Sequence, residues 1–136
     1  MGGRGAFLNS AAAGFKGIAE SERQYSVVDK IGNIEVVQWD YGKNNQTITL
    51  SNTPNTTYYS YSKENKQIEH IYYYRNHKLF KSVDFPKNGN AEHAHYWKNG
   101  SLVGRKRHDK KNIFDLNSKD RRLYNEAIKW NNEYKK

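Results

Sequence analysis

Between residues 24 and 97 the chain is a succession of short segments rich in β-branched and aromatic residues, each stopped by turn formers. The segments are "QYSVVDK", "NIEVVQW", "QTITLS", "TYYSYSK", "QIEHIYYY", "KLFKSVDF" and "AHYW". The breaks are "IGN", "YGKNN", "NTPN", "KENK", "RNHK" and "PKNGNAE". Such side chains fit a pleated, half-buried surface, and the pattern predicts a meander of hairpins forming an antiparallel sheet. In "TITL" Ile48 and Leu50 share a face. In "QIEHIYYY" Ile68, His70, Tyr72 and Tyr74 share one face and Glu69, Ile71 and Tyr73 the other, so that segment reads as a central, two-sided strand. "WKNGS" (97–101) carries an Asn-Gly hairpin signal that turns the chain back after His95.

The texture changes at "DLNSKDRRLYNEAIKWNNEYKK". Asn117 or Ser118 is a cap, Asp120 is an acid in the first turn, and Leu123, Ala127, Trp130 and Tyr134 recur at helical spacing with Ile128 flanking. This predicts an amphipathic helix at about 117–134 that packs on one face of the sheet. Residues 1–22 are rich in Gly and Ala without a period and read as a flexible or partly helical arm. The expected fold is thus α+β: an antiparallel β-meander with a C-terminal helix packed on it. It forms one β-rich domain over 23–136, preceded by a flexible N-terminal arm.

Composition narrows the chemistry. The chain has no cysteine, so disulfides and thiolate zinc sites are excluded, and a reducing interior suits it. Its formal charge is +9. From Lys98 to Lys136 there are twelve Lys/Arg against five Asp/Glu, so about +7 lies in the last third. The densest part is "GRKRHDKK" (104–111), with Arg105, Lys106, Arg107, Lys110 and Lys111. Such a run is either a solvated loop or a surface for an acidic protein face or nucleic acid. It argues against mimicry of DNA through acidity. No transmembrane span and no signal-peptide core are legible.

The residues with chemistry to offer lie in "NAEHAHYW" (90–97). Residues two apart on a strand point the same way, so His93 and His95 can present two imidazoles to one point. Asp84, on the strand before, and His108, on the segment after the hairpin, complete an Asp plus three His set. Imidazole favours zinc over magnesium or calcium. Two strand histidines without a metal are the simpler reading, and the pattern alone leaves the two open. His70 and His77 are weaker candidates, the first as a packed strand residue and the second as an exposed turn residue. With four protein ligands no position is left for substrate, which favours a structural metal and assigns no catalytic residue. The competing reading is a metal-dependent nuclease or toxin-like domain, with the histidine pair beside the basic run.

The pieces "MGGRGA" (1–6), "GNIEVV" (32–37), "IYYYRNHKLFKSVDF" (71–85), "HAH" (93–95) and "LNSKDRRLYNEAIKW" (116–130) occur in that order along nearly the whole chain. Together they resemble a group of small proteins encoded by phages and prophages of Gram-positive bacteria, with a Tyr-rich β-meander, an Asp, a His-x-His and a basic C-terminal helix. Some small phage proteins of this type are zinc-binding anti-CRISPR inhibitors of the type II CRISPR effector nuclease. The resemblance implies that Asp84, His93 and His95 bind zinc. It further implies that the chain acts in the cytoplasm of a bacterial host by docking on that effector and blocking DNA loading or activation.

Overall fold

The computed structural model describes residues 25–40, 47–51, 53–98, 101–103 and 112–134. Seven strands lie in one sheet in chain order: β1 (Tyr25–Ile31), β2 (Ile34–Trp39), β3 (Thr56–Ser62), β4 (Gln67–Arg75), β5 (Lys78–Asp84), β6 (His93–Lys98) and β7 (Ser101–Leu102). One helix, α1 (Ser118–Tyr134), follows. The expected α+β class and the helix bounds hold. The expected arm at 1–22 lies outside the described residues. No described helix is long and apolar enough to cross a membrane.

Two-residue turns set the register of two of the strand pairs. β1 and β2 close on Gly32, whose φ of 62° is open to glycine without cost, and β4 and β5 close on Asn76 and His77, at φ 53° and 70°. β6 pairs antiparallel with β7, so the chain turns back where "KNG" predicted it. One pairing departs from the meander: β2 and β3 are parallel. A parallel neighbour needs a connection of a dozen or more residues, and the chain between Trp39 and Thr56 is long enough for one. "TITL" is therefore not a hairpin strand. It belongs to the crossover, where Ile48 is fully buried and Leu50 bridges to Lys78 beside the start of β5.

The sheet has a packed cluster on each face. Under the helix lie Tyr59, Ile68, Ile71, Tyr73, Val83 and Ala94 with Leu123 and Ala127. The opposite face holds Tyr25, Val37, Tyr58, Tyr72, Tyr74 and Leu79, with Ile48 of the crossover among them. Tyr72, Tyr73 and Tyr74 thus alternate across the sheet, and all three are buried. Ile68 corrects the sequence reading. A bulge at Glu69, where Ser60 faces His70 but Tyr61 faces Ile68, turns Ile68 away from the face of His70 and toward the helix.

The helix is held at both ends by polar groups. Asn117 Oδ1 accepts from the Asp120 amide (2.8 Å), and Asp120 Oδ2 accepts from the Asn117 amide (3.1 Å), a reciprocal cap. Asp120 is 1% exposed and also receives Tyr73 OH (2.7 Å) and Lys81 Nζ (2.6 Å). Burial disfavours its charge, but these donors outweigh that and keep its carboxyl below the usual carboxylate range. Near the other end Asn131 accepts from the Ile68 amide and donates to the Ile68 carbonyl (2.7 and 3.1 Å), as a neighbouring strand would.

Candidate metal centre

On the face away from the helix, three strands align a row of ionisable side chains. The register sets His70 of β4 opposite Asp84 of β5, and Asp84 opposite His93 of β6. In the next row of the same face stand Tyr72, Ser82 and His95. A bulge makes this alignment. A hairpin closed on Arg75 and Lys78 has partners whose numbers sum to 153, which would put His70 opposite Val83. The pairing slips past Phe80, the sum becomes 154, and His70 meets Asp84.

Asp84, His93 and His95 converge as a group able to hold a metal ion. His93 Nδ1 lies 2.7 Å from the Ala91 carbonyl oxygen, and His95 Nδ1 lies 2.7 Å from that of Asn112. A carbonyl oxygen only accepts, so both Nδ1 atoms carry the proton. In the neutral ring each Nε2 then presents a lone pair. These two Nε2 atoms are 3.1 Å apart, and Asp84 Oδ2 lies 3.1 Å from one and 3.6 Å from the other. Three electron-rich atoms so placed repel one another unless a cation sits between them, either added protons or a metal. A tetrahedral ion with bonds of about 2.0–2.1 Å separates its ligands by about 3.3–3.4 Å, and the three distances straddle that value.

Each of the three candidate ligands is held by its surroundings. His95 is 1% exposed and His93 8%. Asn112 locks β6 from outside. Its side chain accepts from the Tyr96 amide (2.7 Å) and donates to the Tyr96 carbonyl (3.0 Å), while its own carbonyl orients His95. Asp84 divides its oxygens: Oδ2 faces His93 and His95, and Oδ1 accepts from His70 Nδ1 at 3.1 Å. Burial opposes the charge of Asp84, but the hydrogen bond from His70, joined by His95 when that ring is protonated, outweighs it and holds the carboxyl well below the usual range. An ionised carboxylate is the form a metal ligand needs.

Two clefts of about 190 and 200 Å3 flank the group, and Glu69, His70, Asp84 and Lys87 line both. Each is smaller than a drug-sized pocket of at least about 300 Å3, so they suit an ion, water or a small group.

Of the residues expected at the site, the structure brings Asp84, His93 and His95 together. His108 and the basic residues Arg105, Lys106, Arg107, Lys110 and Lys111 lie outside the described residues. His77 is not an open turn residue, since its Nδ1 bonds to the Ser51 carbonyl at 2.9 Å. Sequence reasoning undervalued His70 and did not see Asn112. An Asn just past a basic run gives no signal, whereas the spacing of His70 and Asp84 about the "RNHK" turn gives a partial one.

Comparison with family models, with curated proteins and with solved structures gives no match.

Proposed function

We propose that the protein is a zinc-stapled binding protein that acts as an anti-CRISPR inhibitor. The observation that carries the zinc reading is the pair of imidazoles locked by backbone carbonyls, with both Nε2 atoms converging on Asp84 Oδ2. Two nitrogens and one oxygen suit zinc better than magnesium or calcium, which prefer oxygen throughout. We assign the fourth position to His108. The ion then joins β5, β6 and the segment after β7, and its binding energy adds to that of a small core.

The partner follows from the resemblance of the chain to phage-encoded inhibitors, and the surface is consistent with docking. Tyr96 and Phe114 are 39% and 41% exposed and pack edge to face at 4.9 Å, beside exposed Val103 and Ile113. Aromatic anchors of this kind dominate protein interfaces. In sequence, the basic run 104–111 lies between Val103 and Ile113. The inhibitor docks on the type II CRISPR effector nuclease in the bacterial cytoplasm and obstructs DNA loading or activation. Pull-down with several type II effectors and DNA-cleavage assays test this. Capture with loss of cleavage is expected; no capture and no inhibition in any of them rejects the partner.

The clefts beside Asp84 favour one second reading. If His108 is not a ligand, three protein ligands leave a position open to water, as in hydrolytic zinc sites, and the protein is a metal-dependent nuclease. Incubation with DNA and RNA plus zinc, magnesium or manganese decides. Cleavage that disappears in His95→Ala establishes the nuclease, and intact substrates reject it.

A further inference from the structure

We infer that His70 is a positioning residue for the metal: its Nδ1–H holds Asp84 Oδ1 and so confines the carboxylate to single-oxygen coordination through Oδ2. The inference rests on the zinc reading of Asp84, His93 and His95 and assigns that site one more functional residue.

The geometry that carries it is the division of labour on Asp84. A carboxylate can bind zinc through one oxygen or both. Here one oxygen faces the two Nε2 atoms, and the other is engaged by His70 at 3.1 Å. The carboxylate only accepts, so Nδ1 of His70 is the donor. Three features hold His70 for this. Its ring stacks on buried Tyr72, with centroids 5.5 Å apart and planes 10° from parallel. The bulge at Glu69 re-registers β4 against β3 just before it, and the bulge at Phe80 sets Asp84 directly opposite. Bulges that re-aim a side chain are common beside functional sites. The side chain of His70 is 26% exposed at the rim of the cleft, and burial alone does not require a histidine there.

Hydrogen bonds that orient ligands tune the metal they hold, and removing one typically lowers affinity by about 10- to 100-fold. Two substitutions separate the hydrogen bond from the ring. His70→Phe keeps a ring to stack on Tyr72 and loses the donor; His70→Asn loses the ring and keeps an N–H near the place of Nδ1. Zinc affinity is read by competition with a chelating dye, and the cobalt-loaded protein by its visible spectrum, with circular dichroism of the metal-free proteins as a check on folding. His70→Phe should bind zinc about 10- to 100-fold more weakly. The visible absorption of its cobalt form should fall, because the released Oδ1 raises the coordination number. His70→Asn should recover both readouts. The inference is overturned if His70→Phe matches the wild type in affinity and spectrum, or if His70→Asn is as impaired as His70→Phe. A wild-type protein that takes up neither zinc nor cobalt overturns the zinc reading itself, an outcome distinct from both.

Discussion

An aspartate lies against each face of the sheet, Asp120 from the helix and Asp84 from β5, and the two have opposite circumstances. Asp120, on the helix side, is surrounded by donors: Lys81 Nζ, Tyr73 OH and the Asn117 amide all point at it. Its charge is matched by the Lys81 ammonium at 2.6 Å, and nothing further is needed. Asp84, on the other side, has His70 as a donor to one oxygen, while its second oxygen meets two imidazoles whose Nδ1 protons are already committed to carbonyls. One cluster is complete as protein alone. The other gathers two Nε2 atoms and a carboxylate oxygen in a geometry able to hold a metal ion. That difference separates a charge used to seat a helix from a charge that the proposed metal would hold.

The comparison can be broken in order of expected effect. Asp120→Ala strands the Lys81 ammonium in a buried place and removes the carboxylate half of the reciprocal cap; a loss of about 3–5 kcal/mol is expected, measured by urea unfolding. That loss should be the same with and without a chelator. His95→Ala should do the reverse. With zinc in about 1,000-fold excess over its dissociation constant, bound metal adds about 4 kcal/mol to the wild type, and His95→Ala should lack that increment. Equal responses of the two variants to chelator would merge the two clusters into one kind.

Acid gives a third, smaller effect. The folded-state pKa of Asp120 is depressed, so its contribution is fully present above the unfolded value of about 3.9 and is lost as pH falls through that value toward the lower folded one. Metal-free protein should therefore weaken below about pH 4. Asp120→Asn should flatten that dependence, as read by unfolding midpoints between pH 6 and pH 3. The smallest effect on the fold is expected from Tyr96→Ala. It should change stability by only about 0.5 kcal/mol. Binding to the proposed effector partner should nevertheless fall by about 2 kcal/mol, as judged by titration calorimetry.

The strands, the helix and its cap were legible because they rest on local rules: alternation, helical spacing, and the Asn117–Asp120 pairing three residues apart. So was the convergence of His93 and His95, which follows from strand parity. What local rules miss is register over distance. The parallel pairing of β2 with β3 is announced by no turn signal, and Ile48 of the segment between them is buried against the face away from the helix. The bulges at Glu69 and Phe80 each shift parity by one residue, which misplaced Ile68 and hid the pairing of His70 with Asp84. Asn112 escaped notice because its role needs β6 alongside it.

Metal content tests the central claim most directly. The protein, expressed without a histidine tag and purified without chelator, is analysed for elements against its own concentration. One zinc per chain is expected, retained through gel filtration and lost in His95→Ala. Wild-type protein that carries no metal, and takes none up when titrated with zinc, would contradict the assignment of Asp84, His93 and His95 as a metal centre.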